Sequence, residues 1–401
     1  MASTTVYRQL LRLARELDRN PMSKALIVAS PQELFDRRMR AVVELPQADG
    51  ALAECVSLLG GFNSATPGQT AEFYAPSRSA VDAVRRSRHV PLANDPIDVG
   101  LAALRALGVA VQGGEALQKL QPEAPWPQLP EAVRLRPGTT PKVGSLLLTH
   151  PVSCLAQPSL HHAVILLVSV SEEHILGLTV NKPFVNLDPS APVAPLLGAA
   201  VHEAYREGLG VLRDAPLHLG GDVAPTSLLT LHSLGALDDS RAVSDGLWVS
   251  ANLGEVRAAI EALPAPEQER PVGTPPPLGR LKCVVGHAGW AYEQLEAELR
   301  RNVWFLLEPD DGAELAPLAL MQPLAPLPSD PFGSAWLRDA LWGGAMERAG
   351  GEYLELGSFP GDHAKVREQM MQVEALQRDL LQKRLDLLSK QKEKERDGDG
   401  E

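Results

Sequence analysis

The chain has 401 residues, a net charge of −12, 44% hydrophobic residues and 4% aromatic ones. That length holds two or three domains whose cores rest on Leu, Val and Ala, while the acidic balance and the lack of a basic stripe exclude non-specific nucleic-acid binding, which needs clustered Lys and Arg. Three scattered cysteines, Cys55, Cys154 and Cys283, exclude a disulfide framework and suit a reducing compartment, and the longest apolar run, the eight residues Ala163 to Val170, is too short for a membrane span of about 20 residues.

At the N-terminus, Val6, Leu10, Leu13 and Leu17 recur at helical spacing, and Tyr7, Leu11 and Ala14 widen the apolar face. Thr4 or Thr5 is expected to cap this amphipathic helix and Asn20-Pro21 to end it. Arg8, Arg12, Arg15 and Arg19 follow the pattern of a mitochondrial presequence, from which Glu16 and Asp18 depart, and no signal-peptide core is expected. The string Val6 to Arg15, VYRQLLRLAR, resembles the opening of the LYR-motif family, small three-helix domains that bind an acyl carrier protein and assist assembly of mitochondrial complexes. Tyr7 and Arg8 match the motif, and Val6 replaces the usual Leu. Ala80 to Arg88 and Pro96 to Leu107 resemble the second and third helices, which makes residues 22–76 a large insertion. The resemblance implies that Tyr7, Arg8, Arg85, Arg86 and Arg88 contact the carrier protein and that its acyl chain enters between the helices. Without it, the same pattern describes a solvated helix packed on its neighbours.

Six prolines between Gln121 and Lys142 disfavour helix and central strand, so residues 121–141 read as an extended linker after a helical module over 1–120. Beyond it, Ser145 to Leu148, Ala163 to Val170 and Ile175 to Val180 are short apolar runs bounded by Pro, Ser, Glu and Asn, the pattern of buried strands. Asn181, Lys182 and Pro183 are expected to stop the third. The order Gly-x-Leu-Leu, Val-Ile-Leu-Leu, Gly-Leu-x-Val-Asn-Lys-Pro resembles the signature of the YqgE/AlgH family, also called UPF0301 or DUF179. LHLGGDV at Leu217 to Val223, the hairpin residues Leu231 to Ser233 and Asp245 to Trp248, and GHAGW at Gly286 to Trp290 followed by Gln294, Leu295, Glu296 and Glu298 extend it over a domain of residues 142–350. A proline-rich insertion at Pro264 to Leu278 and His287 in place of an aromatic residue depart from the pattern.

A proline cluster at Pro317 to Pro331 leads to a helix around Ala335 to Ala349. From His363 to Lys394 there is no Gly or Pro, and Val366, Val373, Leu380 and Leu387 repeat every seven residues, which predicts a helix over 363–396 suited to coiled-coil pairing. The fold class expected is α+β: a mixed α/β sheet domain of the YqgE/AlgH type, preceded by the small LYR-like helical module and followed by the long helix.

Catalytic signatures are absent: no Gly-x-Ser-x-Gly, P-loop, His-Glu-x-x-His or dinucleotide fingerprint occurs. Gly220-Gly221, Gly286 and Gly289 read as tight turns. His150, Cys154, His161 and His162, with Cys283 and His287, form the nearest thing to a constellation, but they lack the spacing of a zinc knuckle, so no metal or cofactor is expected. The function expected is a non-enzymatic interaction or assembly protein of the mitochondrial matrix, with plastid or cytoplasm as alternatives. Its partners are an acyl carrier protein, other subunits of an organellar complex and a coiled-coil partner. The alternatives are a small-molecule or redox enzyme using the His and Cys residues, with a thiolate nucleophile and imidazole base, and a transcriptional regulator of AlgH type.

Overall fold

The computed structural model describes residues 2–23, 79–87, 104, 107–108, 110–116, 119, 129–151, 160–184, 217–263, 280–300, 303–321 and 335–357. The predicted C-terminal helix, the insertion after Leu263, Cys55, Cys154 and Arg88 lie outside them. Helix α1 spans Ala2–Arg19, so Thr4 and Thr5 sit inside its first turns rather than at its cap. It ends where predicted: Asn20 turns the chain, and its Oδ1 accepts from Ser23 N at 3.1 Å. Helix α2, Ala80–Ser87, packs against α1 and takes its cap from it. Asp18 accepts from Ser79 Oγ at 2.9 Å, Ala80 N at 2.6 Å and Val81 N at 3.1 Å, placing a carboxylate on the positive end of α2.

Among the described residues, eleven strands form the sheet. In chain order they are β1 (Leu135–Pro137), β2 (Leu146–Thr149), β3 (Val164–Val170), β4 (Ile175–Thr179), β5 (Pro183–Phe184), β6 (Leu217–Leu219), β7 (Val223–His232), β8 (Ser240–Ser244), β9 (Leu247–Ser250), β10 (Leu281–Trp290) and β11 (Trp304–Pro309). The order across the sheet is β1-β11-β2-β3-β4-β10-β7-β9-β8, with β6 joined to β10 and β5 to β6. Every pairing is antiparallel except β6 with β10. The chain is thus α+β, with a large, mainly antiparallel sheet and flanking helices.

Both faces of the central strands are covered, which is why they read as leucine runs rather than alternating patterns. On one face Leu146, Leu148, Val164, Leu166, Leu178 and Val284 join Leu341, Trp342, Ala345 and Met346 of a helix over Ala335–Ala349, in a core contiguous with Ala14, Leu17, Ala80 and Val84. On the other, Leu147, Ile165, Leu167 and Leu306 pack with Trp290, Trp304, Leu295 and Leu299. A third cluster sets Val256 and Ile260 of helix α3, Leu253–Glu261, on Leu281, Cys283 and Val285 of β10. Helices α4 (Tyr292–Arg300), α5 (Ala316–Ala319), α6 (Ala335–Ala349) and α7 (Glu352–Gly357) follow in chain order.

Two sequence expectations are corrected. The described half of the expected linker belongs to the sheet domain: Leu129, Val133 and Leu135 are buried, and Leu135–Pro137 pairs with β11 as an edge strand. Proline is tolerated there because an edge strand has one side without ladder partners. The third strand does stop before Asn181, Lys182 and Pro183, at Thr179, and Pro183 and Phe184 then form β5 against β6. Gly286 to Trp290 is not a turn but the second half of β10, whose first half pairs with β6 and β7 and whose end pairs with β4. The strand changes partners at a bulge, where Gly286 has φ +67°. Gly220 and Gly221 are likewise close approaches: a Cβ on either would overlap the backbone of Gly286 or His287.

Candidate functional site

Strands β2, β3, β4, β7 and β10 bring one end of the sheet together, and the polar side chains of the domain concentrate there. Among the described residues, His150, His161, His162, Asn181, Lys182, His218, His232 and Lys282 are all buried at or near this end. Asn181 acts as a substitute strand: its Oδ1 accepts from Val164 N at 2.8 Å and its Nδ2 donates to His162 O at 2.7 Å. Backbone groups left by the end of β4 are thereby satisfied. His162 adopts φ +51°, a conformation that a non-glycine residue enters at a cost of about 1–2 kcal/mol. Its ring is held between His161, with centroids 3.9 Å apart, and Trp342, with centroids 4.0 Å apart and planes at 11°. Trp342 Nε1 in turn donates to Thr149 O at 2.9 Å, fixing α6 to the end of β2.

Both lysines reach carbonyl oxygens. Lys182 Nζ donates to His161 O, and Lys282 Nζ donates to Val180 O at 2.6 Å. Burial alone pulls the Lys282 ammonium down to about 7, since no water stabilises its charge. His150 lies 5.0 Å from Phe305, centroid to centroid, and burial lowers it to about 3, so its imidazole is neutral. His232 belongs to the opposite face beside Trp248; burial lowers its pKa, against the attraction of Glu255.

The sequence constellation is only partly assembled. His150, His161 and His162 share the sheet end, whereas Cys283 and His287 lie four residues apart on β10 on either side of its bulge. Four extended residues span on the order of 13 Å, too far for a nucleophile and its base. The Cys283 thiol is buried and pushed up to about 12, which keeps it protonated at neutral pH. His287 is half-buried, with its pKa lowered by burial and by His174 and raised by Asp222. No group of three or more His, Cys, Asp or Glu able to hold a metal occurs among the described residues. No described helix is long and apolar enough to cross a membrane.

The expected partner residues lie apart from the sheet end. Tyr7 is half-buried and packs on the apolar core, and Arg8 is exposed. Arg85 is exposed and pairs with Asp82 at 3.1 Å; the Arg86 side chain lies outside the described ones. Two features escaped the sequence reading. Glu298 of α4 is buried and accepts from the indole N–H of Trp290 at 3.0 Å and of Trp304 at 2.7 Å, with Gln294 Nε2 at 3.1 Å. The burial of Lys182 and Lys282 also went unread, because lysine is ordinarily a surface residue.

Residues 146–317 match the family model DUF179, described as AlgH-like. A UPF0301 protein of Methylococcus capsulatus is 30% identical over 187 residues, covering 46% of this chain and 85% of that protein. The chain belongs to the UPF0301 (AlgH-like) family. A UPF0301 protein of Bacteroides fragilis is 26% identical over 166 residues, or 41% of this chain and 71% of that one. The solution structure of the AlgH protein from Pseudomonas aeruginosa aligns with 24% identity over 46% of this chain and 86% of that chain, at a TM-score of 0.30. The buried sheet end and the Glu298 cluster both fall within the AlgH-like domain, while α1 and α2 precede it.

Proposed function

We propose that this UPF0301 protein is a non-catalytic interaction protein that assists assembly of a complex in the mitochondrial matrix, docking an acidic partner on its N-terminal helices. The observation that supports this reading is the division of α1 into two faces. Ala14 and Leu17 are buried and Tyr7, Leu10, Leu11 and Leu13 pack on the core, whereas Arg8, Arg12, Arg15 and Arg19 are all exposed. At 3.6 residues per turn those four arginines fall within about 60° of one another around the helix axis. Only Arg12 has an ion pair within α1 among the described residues, to Glu16 at 3.6 Å. A row of guanidinium groups on a chain of net charge −12 suits an acidic surface, because charge-assisted bonds to carboxylates are strong and steer association. An acyl carrier protein is the acidic partner implied by Tyr7 and Arg8, with Arg85, Arg86 and Arg88 extending the contact.

The test is recovery of partners from isolated organelles with the tagged, full-length chain, followed by mass spectrometry. The wild-type chain should retain an acylated carrier protein, and Arg8→Glu should reduce that recovery at least tenfold while circular dichroism stays unchanged. Absence of any carrier protein with the wild-type chain would dismiss the partner, and equal recovery with Arg8→Glu would dismiss the docking face.

A further inference from the structure

Two imidazoles away from the buried sheet end converge on one open patch. Strand β10 pairs with β4 through Gly289 opposite Leu176 and Trp290 opposite Ile175, so His174, one residue before Ile175, falls on the face that carries Gly289 and His287. Gly289 has no side chain, and the space that a Cβ would occupy there is bordered by both rings. His174 Cε1 lies 3.6 Å from that point, Val223 Cγ2 3.6 Å and His287 Cδ2 3.9 Å. In each ring the bordering carbon is bonded to Nε2, a nitrogen able to bind a metal. The notch is open to solvent, since His174, Asp222 and Val223 are exposed and His287 is half-buried. The side chains of His174, His287 and Asp222 have no hydrogen bond or ion pair among the described residues.

The surroundings favour a cation. His174 and Asp222 both act electrostatically on His287, so the Asp222 carboxylate belongs to the same patch, and the exposed Glu172 and Glu173 precede His174. The backbone beneath is bent to present these groups. The β10 register against β7 shifts between Val285 and His287, and Gly286 within that bulge has φ +67°. Ala224 follows Val223, the partner of His287, and holds φ +45°, a conformation that costs a residue with a Cβ. Bulges re-aim the side chain they carry, and backbone strain of this kind gathers at binding sites. Three protein ligands for a metal are not assembled among the described residues, so an ion here is held by two imidazoles and completed by water. Imidazole selects zinc, nickel and copper(II) over magnesium and calcium.

We infer that His174 and His287 form a surface site for a divalent transition-metal ion, floored by Gly289, with Asp222 supplying negative charge beside it. The site is independent of the N-terminal docking face. The untagged full-length chain, freed of metal by a chelator, is titrated calorimetrically with copper(II), zinc(II) and magnesium. Copper(II) should bind saturably and more tightly than zinc(II), as the affinity order of divalent metals for nitrogen ligands requires, and magnesium should not bind. Electron paramagnetic resonance of the chain loaded with one equivalent of copper(II) should show two coordinated nitrogens. His174→Gln and His287→Gln should each keep the wild-type circular dichroism and lose roughly tenfold or more in copper affinity, because one imidazole alone has no chelating partner. Gly289→Ala fills the notch at ordinary contact distances, so it should fold and weaken binding as well. No saturable copper binding by the wild-type chain would overturn the site, as would a single coordinated nitrogen or undiminished binding by either folded histidine variant.

Discussion

Removing the Glu298 carboxylate gives the sharpest stability test of the AlgH-like domain. Its Oε2 accepts from Trp290 Nε1 and Trp304 Nε1, whose rings meet edge to face with centroids 6.0 Å apart. Glu298→Ala deprives two buried indole N–H groups of their acceptor at about 1–3 kcal/mol each, and the void left behind adds to this. The total, about 4 kcal/mol, is a large share of the roughly 5–15 kcal/mol that holds a domain together. Glu298→Gln should behave differently. Its amide oxygen can stand where Oε2 stands and accept from both indoles, while the exchange of charge-assisted bonds for neutral ones costs about 1–2 kcal/mol. Gln294 can turn its amide to present an oxygen to the new NH₂ group. Urea unfolding of the full chain, followed by tryptophan fluorescence and circular dichroism, should place the midpoints in the order wild type, Gln, Ala at similar m-values. Adding Trp304→Phe to Glu298→Ala removes one stranded donor, so the double variant should be less destabilised than the sum of the singles. Equal costs for Gln and Ala, or a cost below about 1 kcal/mol for Ala, would refute the reasoning.

Two further outcomes follow from the geometry. Asp18→Ala removes the acceptor for Ser79 Oγ, Ala80 N and Val81 N, so it should cost the helix pair about 1–2 kcal/mol and raise amide exchange in α1 and α2 while the sheet stays protected; unchanged exchange in α2 would reject the cap. His150 has a folded pKa of about 3 against 6.5 in the unfolded chain, so the neutral imidazole contributes stability that is complete above 6.5 and is lost as pH falls from there towards 3. At pH 4.5 the loss is about 2.7 kcal/mol, and His150→Gln should flatten the stability profile between pH 6.5 and 4.5 by that amount; a parallel profile would contradict a neutral buried imidazole.

The strands were legible where burial on both faces leaves an unbroken apolar run, as in Leu146 to Leu148 and Val164 to Val168. Glycine misled at Gly286 and Gly289, because a sequence marks backbone freedom without saying whether a turn or a bulged strand uses it. Proline misled at Pro137 for a similar reason: its missing donor matters only on the paired side of an edge strand. The buried lysines were not legible. Lys282 meets Val180 across 102 positions of sequence, and only the β4, β6 and β10 pairings bring those segments together.

The residues by which the sequence resembles its family have definite structural roles once their contacts are known. Asn181 completes the hydrogen bonds of β3, Gly220 and Gly221 let the backbone approach β10, Gly286 permits that strand to change partners, and Trp290 meets Glu298. Each resolves a polar or steric problem created by the fold, so each is explained without a ligand. Lys282, outside those motifs, donates to Val180 O. Val180 O would be satisfied by a neutral donor or by water, and a methionine would fill the same volume without the burial cost of an amine.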